Sequence, residues 1–250
     1  MSNIWAFGDS AIDRRIRLRY DMPQHETWIE IVSKELDSEI KDFSWGASSL
    51  SYLYFHYREQ LNNMVEGDTV IISLPYYDKS WFFKKSPTMS TAARVRANNY
   101  FSDKQKDFIT TYFDEIYCIE EEINTLKNFL DMLCYHQEKK GLNIIAFGAG
   151  IGINDSLQIP KELAGGIGSL WEGVSFGEII EGEDAYIKLF NSVVQGAVTD
   201  TRLNHLSEPN HPIMAQKVIN SLKTKEPIDF TTDFLKNIVS VKDLTGPTNE

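Results

Sequence analysis

Two stretches near opposite ends of the chain carry the side chains best suited to nucleophilic chemistry. Near the start, NIWAFGDSAID (3–13) runs from an apolar segment straight into Gly8-Asp9-Ser10. Gly, Asp and Ser are turn residues, so the plain reading is the end of a first strand. The sharper reading is a serine on the tight turn between a strand and a helix. Its hydroxyl then projects from the carboxyl edge of a sheet, where open α/β folds place their ligands. Near the other end, NHLSEPNHPIMAQKVI (204–219) sets a histidine in a loop ahead of a helix, with Ser207 as a natural N-cap and Pro209 in the first turn. His205 could bring an imidazole to the same sheet edge as Ser10; alternatively, His205 and His211 are surface or capping residues. A hydroxyl is a poor nucleophile until a base takes its proton, and an imidazole can do that near neutral pH.

Such residues need a scaffold, and the hydrophobic pattern supplies one. NIWAF (3–7) is a short apolar strand, ETWIEIVSKEL (26–36) has helical spacing, and EIKDF ends in the turn WGASSL. A helix is expected over roughly 49–64. TVIISL (69–74) is the clearest buried strand, rich in β-branched residues. Residues 76–103 show no clean period and read as an insertion. Residues 103–140 read as two helices broken near Tyr117, and LNIIAF (142–147) is another buried strand. A Gly-rich connection (148–183), a helix near 184–196, a loop over 197–207 and a helix over 208–222 complete the pattern. Residues 223–250 read as a C-terminal tail that could pack on the body. Strand and helix alternating at these spacings predict an α/β fold, a three-layer α/β/α sandwich around a mostly parallel, doubly wound sheet, in one domain spanning 1–222.

Composition narrows the function classes. The 250 residues carry a formal net charge of −11, which argues against a nucleic-acid surface, because phosphate neutralisation requires clustered Lys and Arg. The basic run Arg14, Arg15, Arg17 and Arg19 is a local exception, read as a solvated face. Cys118 and Cys134 cannot make a disulfide framework and lack metal-ligand spacing, so they read as buried packing residues and no metal is expected. No run approaches the ~18 apolar residues of a membrane span, and no charged segment followed by an apolar one suggests a secretory leader. The expected location is the cytoplasm or a phage particle. IIAFGAGIG resembles a phosphate-binding loop, but the third glycine is missing and a proline falls where the helix should run, so no organic cofactor is expected.

Read together, FGDS at the end of the first strand and HLSxxxHxxMA before the last helix resemble the SGNH, or GDSL-type, hydrolase family. The resemblance runs from about residue 3 to 222 and includes TWIEIVSKEL and KKGLNIIAF. It implies a flavodoxin-like sheet, with Ser10 as nucleophile, His205 as base and His211 in the place of the family's second histidine. Gly46 of FSWGASS fits the family's second block, so the backbone N–H groups of Ser10 and Gly46 are the implied oxyanion donors. Glycine there would also let the backbone approach the substrate.

The chain departs from the family twice. The acid normally lies three residues before the catalytic histidine, where this chain has Arg202; Asp200 is the leading substitute, with Asn204 and Glu208 weaker. The third block, normally GxND, reads PYYD, with Tyr77 in the asparagine place. Asn154, in the displaced sequence Gly152-Ile153-Asn154-Asp155, could replace that donor. The aromatic stretch YYDKSWFFKK (76–85) and Trp171 could recognise a sugar or an acyl chain, Tyr76, Tyr77 and Trp81 being the candidates, or could simply pack the insertion. The resemblance implies cleavage of a carboxylic ester, with an O-acyl or O-acetyl carbohydrate the leading substrate class and a lipid or small ester next. A catalytically degraded relative that binds a glycan or protein, and an acyltransferase, are the alternatives.

Overall fold

The computed structural model describes residues 2–9, 12, 14, 26–46, 48–75, 80–83, 86–90, 102–148, 159–163, 206, 210–230 and 232–234. Four strands, β1 (Asn3–Phe7), β2 (Glu39–Asp42), β3 (Thr69–Leu74) and β6 (Asn143–Gly148), form a sheet in the order β2-β1-β3-β6. Every pairing in it is parallel. This is the strand order with which flavodoxin-like sheets begin, so the chain forms the α/β fold that its pattern predicts.

The layers follow from period-two alternation along strands buried on both sides. Ile4 and Ala6 of β1, Ile71 of β3, and Ile145 and Phe147 of β6 face one layer. There they meet Trp28, Ile29 and Val32 of α1 (Trp28–Glu35) and Met214, Ala215, Val218 and Ile219 of α5 (Asn210–Thr224). Their sequence neighbours Trp5, Phe7, Val70, Ile72, Leu74, Ile144 and Ala146 face the other layer. That side is covered by Leu50, Leu53 and Tyr57 of α2 (Leu50–Gln60) and by Leu126, Phe129, Leu130 and Leu133 of α4 (Ile119–Lys140).

Local chemistry sets the helix ends. Glu30 Oε2 accepts from the Thr27 backbone N–H at 2.8 Å and from its hydroxyl at 2.6 Å, which fixes the start of α1. Ser49 caps α2 by accepting from the Tyr52 N–H at 3.2 Å. Helix α4 begins with Glu120, Glu121 and Glu122, ends with Lys139 and Lys140, and stops at Gly141 in the left-handed conformation. Helix α3 (Asp103–Thr111) widens into a π-helical turn (Tyr112–Ile116), and the chain is extended at Tyr117. The expected break near Tyr117 is therefore a π turn followed by two extended residues, Tyr117 and Cys118.

Three features differ from the sequence pattern or refine it. The stretch 76–103 contains an antiparallel hairpin of β4 (Ser80–Phe83) and β5 (Ser86–Ser90), with β4 running against α2. Cys118 and Cys134 are free and only half-buried, not buried: Cys118 is the N-cap of α4, and Cys134 lies at the margin of the α2–α4 core. Within 223–250, Ile228, Phe230 and Phe234 are buried among α1, α5 and the sheet. The predicted helix near 184–196 and almost all of the Gly-rich connection lie outside the described residues. Among those residues, no helix is long and apolar enough to cross a membrane.

Candidate active site

The carboxyl ends of β1, β2 and β3 are joined by a compact set of polar contacts. β1 leads into Gly8, whose φ is +144°. A Cβ at this position would lie 2.5 Å from the Ser73 carbonyl oxygen and 2.8 Å from the Ser73 Cβ. Only glycine lets β1 leave the sheet this close to β3. The next residue, Asp9, is 5% exposed, and its Oδ1 accepts from the Ser73 hydroxyl at 3.0 Å. The Ile12 N–H donates to the Asp9 carbonyl at 3.2 Å.

The segment after β2 docks on the same point. The Phe43 N–H donates to the Ala6 carbonyl at 2.8 Å, extending the parallel register past the end of β2. The Gly8 carbonyl then accepts twice, from the Trp45 N–H at 2.8 Å and from the Ser48 hydroxyl at 2.8 Å. The Ser48 N–H donates to the Trp45 carbonyl at 2.9 Å, which closes the turn that carries Gly46. Asp42 Oδ1 accepts from the Ser44 N–H at 3.0 Å and also from the Ser44 hydroxyl. Arg14 Nε lies 3.4 Å from Asp42 Oδ2, and Arg14 Nη1 lies 3.8 Å from Glu30 Oε1. One arginine of the basic run thus ties the post-β1 segment to β2 and α1.

Gly46 therefore occupies a turn hydrogen-bonded to the carbonyl two residues ahead of Ser10. Ser10, His205, Asp200, Tyr76, Tyr77 and Asn154 lie outside the described residues, as do Arg202, Asn204, Glu208 and Trp171. Trp81 falls in β4, of which only the backbone is described.

His211 is held in a defined way. Its Nδ1 accepts the backbone N–H of Trp28, the first residue of α1, at 3.1 Å. It is a capping residue, supplied to one helix by another, and the ring proton then belongs on Nε2. Another histidine, His136, joins α4 to α2: its Nδ1 is 3.0 Å from the Tyr57 hydroxyl. Burial, then Lys140 and Arg58, push its pKa below the ordinary histidine value. Burial also raises the Tyr57 phenol.

Sequence reasoning overlooked Ser73, Ser48 and Trp45, which build this edge. Ser73 had a signal, because it is the one hydroxyl in the apolar second half of TVIISL, and a fully buried polar group needs a partner. Ser48 and Trp45 flank Gly46 but match no spacing that marks chemistry.

No protein-family model and no curated protein matches the chain.

Proposed function

We propose that the protein is a serine hydrolase of SGNH type that cleaves a carboxylic ester through an acyl-Ser10 intermediate. The observation that carries this reading is the double acceptance by the Gly8 carbonyl, from Trp45 and Ser48. It seats the Gly46 turn against the strand end that leads into Ser10, and both implied oxyanion donors come from these two segments. Ser10 Oγ attacks the acyl carbon while its proton passes to the His205 imidazole. The tetrahedral oxyanion accepts from the backbone N–H groups of Ser10 and Gly46. The alcohol then leaves with the proton from His205, and water, deprotonated by His205, releases the carboxylic acid and restores Ser10. Asp200 takes the part of the acid that orients the imidazole. The substrate class is an O-acyl, foremost O-acetyl, carbohydrate, with a lipid ester second.

The buried polar contacts of Gly8 and Asp9 support this reading, because a nucleophile requires a fixed backbone beside it. Arg202 and Tyr77, in the places of the family's acid and amide donor, favour a second reading, a degraded relative that binds an acylated glycan without cleaving it. Hydrolysis of 4-nitrophenyl acetate separates the two. The hydrolase reading expects Ser10→Ala and His205→Ala each to lower kcat by about 10³-fold or more. A Ser10→Ala protein as fast as wild type would refute it.

A further inference from the structure

We propose that Tyr57 and His136 form a pH-sensitive latch between α2 and α4, closed while the His136 imidazole is neutral and released when it takes up a proton. The proposal does not depend on the hydrolase reading, and both helices are described along their whole length.

The latch is a hydrogen bond that only one protonation state completes. The Tyr57 side chain is fully buried, with the ring of Phe7 edge-on at 5.6 Å and that of Phe129 at 5.7 Å. Burial holds its phenol in the neutral form, so the hydroxyl carries a proton that needs an acceptor. His136 Nδ1, 3.0 Å away, accepts it when the ring is neutral and the ring proton sits on Nε2. An imidazolium has no acceptor nitrogen. Its Nδ1–H can only donate to the phenol oxygen, and the phenol proton then has no acceptor among the described residues. A buried donor left without a partner costs more than the hydrogen bond itself contributes.

The surroundings oppose the proton as well. The charged groups facing His136 are Arg58 of α2 and Lys140 of α4, both cations, and its other titratable neighbours are the phenols of Tyr57 and Tyr135. Both cations are held in place: Lys140 Nζ donates to the Leu61 carbonyl, and the Arg58 guanidinium lies 5.7 Å from the centre of the Tyr54 ring. Burial, then Lys140 and Arg58, lower the His136 pKa from its ordinary value of 6.5. A folded-state value below the unfolded one gives a contribution that is complete above about pH 6.5 and is lost as pH falls through the folded value. The consequence reaches the candidate site. Phe7 is the last residue of β1 and leads into Gly8, and α2 starts from the Ser49 cap just after the Gly46 turn. Opening the α2–α4 layer loosens the packing beneath both segments, while the α1–α5 layer stays closed.

Native-state hydrogen exchange on the full chain tests the latch, with each amide rate divided by its intrinsic value at the same pH. Between about pH 7.5 and pH 5.5, protection in α2 and α4 should fall by about tenfold, within the range for an unsatisfied buried donor, while α1 and α5 keep theirs. His136→Gln, which keeps an acceptor but does not titrate, should lose this fall. By NMR, the His136 imidazole, identified by its loss in that variant, should titrate below pH 6.5. Its midpoint should move upward in Tyr57→Phe, where no phenol supports the neutral ring. Equal falls in both layers would mark general acid unfolding and overturn the proposal, as would no fall in α2 and α4. An undiminished fall in His136→Gln would assign the response to another group and overturn it too. So would a wild-type midpoint at or above pH 6.5, or one that Tyr57→Phe leaves unmoved.

Discussion

At the scale of single residues, Gly8 and Ser73 decide whether the candidate site is built. Gly8 combines a φ of +144° with a Cβ position 2.5 Å from the Ser73 carbonyl oxygen, so a side chain must displace backbone. Gly8→Ala should therefore cost about 2–3 kcal/mol in urea unfolding, the range for strain at a special backbone conformation. Ser73→Ala removes a buried donor from the Asp9 carboxylate and should cost about 1–3 kcal/mol in the same measurement. A value near zero for either would mean that the edge relaxes freely and is not preorganised. The GDS motif was legible in the sequence. That its Asp is buried and bound to β3 was not, because a contact spanning 64 residues leaves no local spacing to read.

Among the elements, the long-range cap between α5 and α1 is the most informative. The Trp28 N–H is one of the donors that a helix start leaves without an intrahelical partner, and His211 satisfies it from 183 residues away. His211→Ala should destabilise the protein by about 1–2 kcal/mol and speed hydrogen exchange at the Trp28 amide, while leaving the α2–α4 layer protected. Unchanged exchange at Trp28 would show that α1 does not depend on this contact. The strands and the longer helices could be read from the sequence because each buries a regular apolar face: NIWAF, TVIISL and NIIAF are continuous apolar runs of a sheet covered on both sides. The β4–β5 hairpin could not. Its second strand contains Pro87, which argues against a strand, and the two residues joining the strands are Lys84 and Lys85, not the Asn-Gly or Asp-Gly that signals a tight hairpin.

For the molecule as a whole, the opposite edge of the sheet acts as a structural lock that responds to acid. Burial tends to raise the Asp68 pKa, but hydrogen bonds from the Asn3 backbone, the Trp5 indole, the Val65 backbone and the Asn3 side chain outweigh it. The carboxyl is held below its ordinary value. A folded-state pKa below the unfolded one stabilises the fold fully above the unfolded value of ~3.9, and this contribution is lost as pH falls through the lower, folded value. Asp68→Asn should flatten the acid limb of the stability profile and leave its shape above about pH 6 unchanged. An unaltered acid limb would assign that limb to other carboxylates. The body also extends past α5: Ile228, Phe230 and Phe234 are buried, and each such side chain contributes about 1.5–3 kcal/mol. A chain ending at Thr224 should accordingly lose its cooperative thermal transition, whereas one that kept a wild-type transition would show these contacts to be dispensable. The central claim concerns Ser10, and intact-mass analysis after fluorophosphonate treatment tests it most directly. The account predicts a single adduct on the folded protein, absent from Ser10→Ala and forming far more slowly on His205→Ala; a folded wild-type protein that takes up no adduct would contradict it.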